Sequence, residues 1–163
     1  MNDQMLPNKT ENETPTRRKG VGLHLVVVAA MLAGLGWWFG RPTSTPAFFD
    51  TSISLDEAIV RAQTSGRVVY AYATADWCGP CKRFKKGALA DERVVSWMNE
   101  NAVSVYIDVD DNPADAARLG VQGIPASFII ADGDIVDMTV GALPADWFHS
   151  WLQQAHAKSS IFP

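Results

Sequence analysis

Two cysteines separated by two residues are the part of this 163-residue chain best suited to chemistry. Cys78 and Cys81 lie in the run Asp-Trp-Cys-Gly-Pro-Cys-Lys over residues 76–82, and the chain contains no other cysteine. At the start of a helix, this spacing brings two sulfur atoms close enough to bridge, and the helix N-terminus and a following basic residue favour the thiolate form of the first. The pair is therefore expected to exchange two electrons as a unit.

Redox exchange accounts for the cysteine pair better than a zinc site, haem attachment or a structural disulfide does. A structural zinc site needs four ligands, and the histidines that could supplement the pair, His24, His149 and His156, are widely spaced. Covalent haem attachment requires a histidine directly after the second cysteine, but position 82 is lysine. A permanent structural disulfide would close so short a loop that it would restrict the unfolded chain little. We therefore expect neither a metal nor another bound cofactor.

The amino-terminal residues predict a tail and a membrane anchor. Residues 1–20 are polar, lack apolar periodicity and end in three basic residues, which is typical of a short disordered tail. Residues 21–40 are apolar apart from one histidine, and about 20 helical residues span a hydrocarbon core about 30 Å thick. A cleaved signal peptide is the alternative, with residues 45–47 as a weak cleavage site, but its apolar region is normally only about 7 to 15 residues long.

Basic residues on the two sides of the apolar segment predict its orientation. Three of them, at positions 17–19, precede the segment, whereas Arg41 alone follows it closely, so the tail is expected in the cytoplasm. A twin-arginine export signal is the alternative role for the first two. Residues 41–51, rich in Pro, Ser and Thr, are expected to link the anchor to a domain over residues 52–163. The domain is thus expected in the bacterial periplasm, where disulfides form, held to the inner membrane by a single span.

The charge of the chain after Arg41 argues against nucleic acid as a partner. This part contains nine basic and fifteen acidic residues, which gives a net charge of −6. A nucleic-acid-binding domain normally carries a surplus of basic residues on one face. We therefore expect no nucleic-acid partner.

Local patterns predict alternating helices and strands in the domain. A capping box over residues 54–57 begins a helix, and short apolar runs rich in β-branched and aromatic residues predict strands. An Asp-Gly pair at positions 132–133 predicts the turn of a closing hairpin. The expected elements are a helix from 54 to 66, a strand from 68 to 74, a helix from 78 to 101 loosened at Gly87, a strand from 103 to 109, a helix from 114 to 119, hairpin strands from 126 to 131 and from 135 to 140, and a last helix from 144 to 157.

Three motifs make the domain resemble the thioredoxin family. Residues 75–82 resemble its active-site signature, residues 111–125 the stretch that leads to its cis-proline, and residues 141–143 the turn before its last helix. The resemblance covers about residues 52–157. Residues 72–94 look most like the carboxy-terminal periplasmic domain of the transmembrane thiol:disulfide interchange reductant, and also like other membrane-tethered thioredoxin-like proteins. The resemblance implies an α/β thioredoxin fold, with a central mixed sheet of four or five strands and helices on both faces, here preceded by one transmembrane helix.

The resemblance also implies roles for the residues around the dithiol. Cys78 is expected at the exposed helix end as the nucleophile that attacks a client disulfide, and Cys81, one turn inside, is expected to resolve the mixed disulfide. Gly79 and Pro80 allow a tight turn and are typical of reducing rather than oxidising members. Lys82 begins a basic run that is expected on a solvated helix face, with its near end able to lower the pKa of Cys78.

Client binding is expected beside the same turn. Trp77 is expected to form the rim of the site, and plain packing is the alternative role. In the family the bond corresponding to Ile124–Pro125 is cis, which leaves the backbone of Ile124 free to pair with an extended client segment. Ile124 and Pro125 are therefore the implied substrate-binding residues.

One position departs from the family pattern. Tyr72 stands where thioredoxins commonly carry a buried aspartate, six residues before the first cysteine, and Ser104 stands where an accompanying lysine is often found. The carboxylate is regarded as a proton relay to the resolving thiol. Its loss therefore argues against fast general reduction of many clients.

These inferences predict a membrane-anchored thiol-disulfide oxidoreductase that reduces protein disulfides through the Cys78/Cys81 dithiol. Its expected partners are protein clients, the lipid bilayer around residues 21–40, and a transmembrane thiol carrier that renews the dithiol, because nicotinamide-dependent reductases are cytoplasmic. A disulfide oxidase or isomerase of the same fold is one alternative. A tethered client-binding or assembly protein with little turnover is the other.

Overall fold

The chain divides into two units, Met1–Arg41 and Pro42–Pro163. The computed structural model describes residues 21–39 and 44–160. The predicted tail, residues 1–20, lies outside them.

The first unit contains one helix, α1, over Val21–Phe39 in its described part. Among the described residues, no helix combines the length and the apolarity needed to cross a membrane. The anchor that the sequence predicts over residues 21–40 stays a prediction.

A five-stranded sheet forms the centre of the second unit. Its strands are β1 Phe49–Asp50, β2 Val68–Thr74, β3 Ala102–Asp108, β4 Ala126–Ala131 and β5 Asp134–Val140. Their spatial order is β1-β3-β2-β4-β5. Strands β1 and β2 are parallel to β3, whereas β4 is antiparallel to both β2 and β5. The predicted mixed sheet is thus confirmed.

Helices cover both faces of the sheet. They are α2 Leu55–Ser65, α3 Gly79–Lys86, α4 Glu92–Asn101, α5 Pro113–Arg118 and α6 Ala145–Ser159. Because successive side chains of a strand point to opposite faces, the fully buried β2 contributes to two apolar clusters. Tyr70 and Tyr72 join the cluster beneath α3, α4 and α6, whereas Val69, Ala71 and Ala73 join the one beneath α2 and α5. The sheet is thereby fixed between two helical layers.

Local signals place two of these elements as predicted. The Ser54 side chain accepts a hydrogen bond from the Glu57 N–H at 3.2 Å, which caps α2, and Gly66 ends that helix with φ of 66°. Asp132 and Gly133 both have positive φ, which suits the tight turn of the β4–β5 hairpin.

The stretch predicted as one helix over residues 78–101, loosened at Gly87, is two helices separated by a 3₁₀ turn that begins after Gly87. Gly87 has a non-helical backbone, with φ of −100° and ψ of −99°. Asp91 then caps α4, since its carboxylate accepts a hydrogen bond from the Arg93 N–H at 3.0 Å.

Strand β1 lies within the stretch that the sequence predicts as a linker. Phe49 is only 7% exposed, and its ring centroid lies 5.7 Å from that of Tyr70, 5.8 Å from that of Tyr72 and 5.6 Å from that of Tyr106. A two-residue strand has no periodicity to detect. Its place is decided by the aromatic pocket that distant residues provide.

Candidate active site

The two cysteines form a disulfide at the start of α3. Cys78 is the N-cap residue, and its sulfur accepts a hydrogen bond from the Cys81 N–H at 3.2 Å. Pro80 occupies the first turn, where a missing N–H leaves no hydrogen bond unmade. The free N–H groups of a helix N-terminus favour negative charge, so this position favours a Cys78 thiolate once the disulfide is reduced.

Both cysteines are more buried than expected, since the sequence predicts Cys78 at an exposed helix end. Cys78 is 3% exposed and Cys81 is fully buried, and Ala75, Val109 and Ile124 pack against them. Gly79 and Pro80 are exposed beside them. A client must therefore approach across the turn, where Cys78 is the nearer cysteine.

Trp77 forms an exposed rim beside the disulfide. The residue is 68% exposed, and its Nε1 donates a hydrogen bond to the Asp110 carboxylate at 2.7 Å. Plain packing does not account for so exposed an indole. Asp110 follows β3, and its distance of 33 residues along the chain leaves no local signal from which the sequence could reveal it.

Tyr72 lies against the backbone of the second cysteine. It is fully buried, and its hydroxyl donates a hydrogen bond to the Cys81 carbonyl oxygen at 3.4 Å. Burial raises the pKa of the Tyr72 hydroxyl far above its usual range, so this side chain stays neutral. Tyr72 thus supplies packing and a hydrogen bond at this position, but no general base.

The residue beside Tyr72 on the neighbouring strand is Tyr106, not Ser104. Ser104 instead lies opposite Tyr70, and its hydroxyl contacts the Met98 sulfur at 3.8 Å. Ser104 thus lies two residues before the true neighbour of Tyr72 on β3. In a parallel pair, the strand register decides which side chains on one face meet. Ser104 is therefore not a partner of Tyr72.

The basic run after the dithiol is not uniformly solvated, although the sequence predicts a solvated face. Lys85 is only 6% exposed, and its Nζ donates a hydrogen bond to the Tyr106 hydroxyl at 2.9 Å. Lys85 lies four residues after Cys81 and shares the helix face that packs on the sheet. Lys82 is half-buried, whereas Arg83 and Lys86 are exposed.

The segment before β4 completes the wall of the site. The Ile124–Pro125 peptide bond is cis, as the resemblance implies. The Pro125 carbonyl accepts a hydrogen bond from the Gly141 N–H at 2.8 Å, which ties the segment to the end of β5. A groove of about 400 Å³ lies between Trp77, Ile124 and α5, and is lined mainly by apolar side chains. It can hold a client chain beside the disulfide.

The two histidines of the second unit take no part in this site. His149 and His156 lie on α6, where the His156 ring contacts Trp97 with centroids 5.7 Å apart. His24 lies in the first unit. Within residues 21–39 and 44–160, no group of three or more histidine, cysteine or carboxylate side chains could hold a metal ion.

This geometry agrees with a match of residues 55–156 to the family described as the thioredoxin-like domain. The chain belongs to the thioredoxin-like family. Proteins of this family exchange electrons through a redox-active cysteine pair and use no bound cofactor.

Several thioredoxins are similar to this thioredoxin-like chain. The thioredoxin of Rhodospirillum rubrum is 30% identical over 100 residues, which cover 61% of this chain and 90% of the relative. The thioredoxin of Bacillus subtilis is 39% identical over 85 residues, which cover 52% and 79%. The solution structure of a thioredoxin from Thermus thermophilus superposes with a TM-score of 0.60 at 25% identity, over 66% of this chain and 87% of that one.

Proposed function

We propose that this thioredoxin-like oxidoreductase reduces protein disulfides. The observation that carries the proposal is the Cys78–Cys81 disulfide at a helix N-terminus, beside an exposed indole and an apolar groove. The reduced Cys78 thiolate attacks a client sulfur and forms a mixed disulfide. The Cys81 thiolate then attacks Cys78 and releases the reduced client.

The direction of exchange is supported by the residues between the cysteines. Gly79 and Pro80 are typical of reducing members of the family, and the helix N-terminus favours the reduced thiolate at Cys78. We expect a reduction potential nearer the ~−270 mV of thioredoxin than the ~−120 mV of the strong periplasmic oxidant. A potential near the second value would instead identify an oxidase.

We further propose that the domain works on the periplasmic side of the inner membrane and is tied to it through residues 21–40. The support is the apolar composition of that segment and the three basic residues at positions 17–19 against Arg41. On that side a transmembrane thiol carrier renews the dithiol. This arrangement matches the domain of the interchange reductant that residues 72–94 resemble.

A fusion protein and amino-terminal sequencing test the location. A reporter enzyme that is active only outside the cytoplasm, fused after Pro163, is expected to be active. Sequencing of the membrane fraction is expected to find the amino-terminal tail intact. A silent reporter contradicts the orientation, and a mature chain that starts near Phe48 contradicts the retained anchor.

Trapping of mixed disulfides tests the activity. A Cys81→Ala variant in cells lacks the resolving thiol, so client proteins should remain covalently bound to Cys78 and be identified by mass spectrometry. The Cys78→Ala variant is the matched control and should trap far fewer. Clients that persist on a variant lacking both thiols would indicate binding without turnover, and the absence of any trapped client would contradict disulfide reduction.

A further inference from the structure

Within residues 21–39 and 44–160, cations that form no ion pair are concentrated in α3, beside the dithiol. Four of the nine basic residues after Arg41 lie in α3, although the net charge of that part of the chain is −6. The basic residues that form ion pairs in the described part of the chain all lie elsewhere: Arg61, Arg93, Arg118 and Lys158. Within that part, Lys82, Arg83 and Lys86 form no ion pair, so their charges are open to a partner.

Arg83 places its charge beside the turn between the two cysteines. Its Nη1 atom is 3.8 Å from the point that a Cβ on Gly79 would occupy, so the guanidinium reaches back over the turn next to Cys78. The positive end of the helix dipole is at this N-terminus, and cations are stabilised at the opposite end. The helix dipole therefore explains Lys86 in the last turn, but it does not explain the position of the Arg83 guanidinium.

A second groove begins at the same arginine. It has a volume of about 280 Å³ and lies between α3 and residues 142–145, which precede α6. Phe84, Leu143 and Pro144 give it apolar walls, and Arg83 supplies its cation. An extended polypeptide placed here would bury apolar side chains and bring one of its carboxylates to the guanidinium beside Cys78.

We propose that Arg83 selects client segments that carry an acidic residue next to their disulfide and that extend along the groove between α3 and residues 142–145. The proposal rests on the proposed function, since the selection acts on exchange at Cys78. In that exchange the Cys78 thiolate attacks one client sulfur as the client disulfide breaks. The Cys81 thiolate then displaces the client sulfur, so two electrons pass to the client, its two sulfurs end as thiols and the dithiol becomes a disulfide.

The test compares two synthetic peptides with the full chain. Each peptide has one intramolecular disulfide, and they differ only in two residues beside the cysteines, which are aspartate in one and lysine in the other. The protein is reduced beforehand and freed of reductant, and a single turnover is followed by chromatography of the peptide. Each rate is divided by the rate at which dithiothreitol reduces the same peptide, because flanking charges alter the leaving thiol itself.

With the unsubstituted protein, the normalised rate should be about tenfold higher for the acidic peptide than for the basic one at low ionic strength. The preference should largely vanish at 1 M salt, where the screening length is only about 3 Å. Arg83→Gln should lower the ratio of the two rates about threefold, and Arg83→Glu should reverse the preference. Because Arg83 is exposed, both variants should fold.

Arg67→Gln is the matched control, since it removes the same charge at the far end of β2. The seven residues of that strand span about 23 Å at ~3.3 Å per residue, and the dithiol follows its other end. This variant should leave the preference unchanged.

Three results would overturn the selection. They are equal normalised rates for the two peptides, a preference that survives Arg83→Gln, and a preference that Arg67→Gln lowers as much as Arg83→Gln does. In the second case, an equal slowing of both peptides by Arg83→Gln would mean that Arg83 acts on the thiolate alone. Failure of the unsubstituted protein to reduce either peptide would instead overturn the proposed function, and the selection with it.

Discussion

Replacement of Tyr72 by aspartate would restore a carboxylate near the dithiol and is expected to alter both redox behaviour and stability. Tyr72 is fully buried, and its hydroxyl contacts the Cys81 carbonyl. A negative charge roughly 8 Å from a thiolate raises its energy by about 2 kcal/mol at an effective dielectric constant of about 20. We therefore expect Tyr72→Asp to raise the pKa of Cys78 by about 1.5 units.

The same repulsion destabilises the reduced form relative to the disulfide. In this two-electron couple about 1.4 kcal/mol corresponds to about 30 mV, so a repulsion of about 2 kcal/mol should make the potential about 45 mV more negative. Burial raises the pKa of the new carboxyl group itself, so the change in potential should grow as the pH rises through that value. Resolution by Cys81 should become faster, because its proton gains an acceptor.

The fold should lose stability in the same variant. Loss of the aromatic ring leaves a cavity between Phe49, Phe84 and Tyr106, whose centroids lie 5.8, 5.9 and 5.8 Å from that of Tyr72. Such truncations cost about 3 to 5 kcal/mol. Tyr72→Phe is the matched control, because it keeps the ring and loses only the hydroxyl, at a cost of about 1 kcal/mol.

Three measurements check these values: the alkylation rate of Cys78 against pH, equilibrium with a glutathione buffer, and urea denaturation. An aspartate variant with unchanged potential, turnover and denaturation midpoint would refute the position of Tyr72 near the dithiol. A phenylalanine variant that reproduces the shift in potential would show that charge is not its cause.

Three further predictions concern the rim, the nucleophile and one helix cap. In the reduced protein, Cys78 should be alkylated first, with a pKa below the ~8.5 of free cysteine, and Cys81 should react slowly until Cys78 is blocked; equal rates would contradict the assignment. Asp110→Ala should free the Trp77 indole and slow exchange with peptide disulfides a few-fold, which corresponds to on the order of 1 kcal/mol. Exchange with a small disulfide should keep its rate. If both exchanges slow equally, Trp77 does not hold clients. A hydrogen bond from the guanidinium two residues along the chain lowers the pKa of Asp91 from 3.8 to about 2. The ionised Asp91 therefore contributes to the free energy of unfolding above pH 3.8, and this contribution is lost as the pH falls towards 2. In urea titrations, the destabilisation caused by Asp91→Asn should shrink over that pH range. A destabilisation that stays constant would argue against the pairing of Asp91 with Arg93.

The features that could be predicted from the sequence arise from interactions between residues close together in the chain. The spacing of Cys78 and Cys81 brings their sulfurs together in one helical turn, and Ser54 caps the residues that follow it. The bounds of β2 and the hairpin turn at residues 132–133 are likewise predicted by local patterns. In each case the interaction closes within a few residues, so it leaves a pattern along the chain. The break between α3 and α4 also has local signals, in Gly87 and in the cap at Asp91, and together they are strong enough to end one helix and begin another.

Which distant residues surround the disulfide depends on the tertiary structure. The bond from Trp77 to Asp110 joins residues 33 positions apart, and the register of β2 and β3 places Tyr106 rather than Ser104 beside Tyr72. The packing of α3 on the sheet buries Lys85 within a run of otherwise solvated cations. None of these contacts has a local signature, because each depends on how strands align and how a helix lies across them, and a shift of one residue in either would place different side chains at the site.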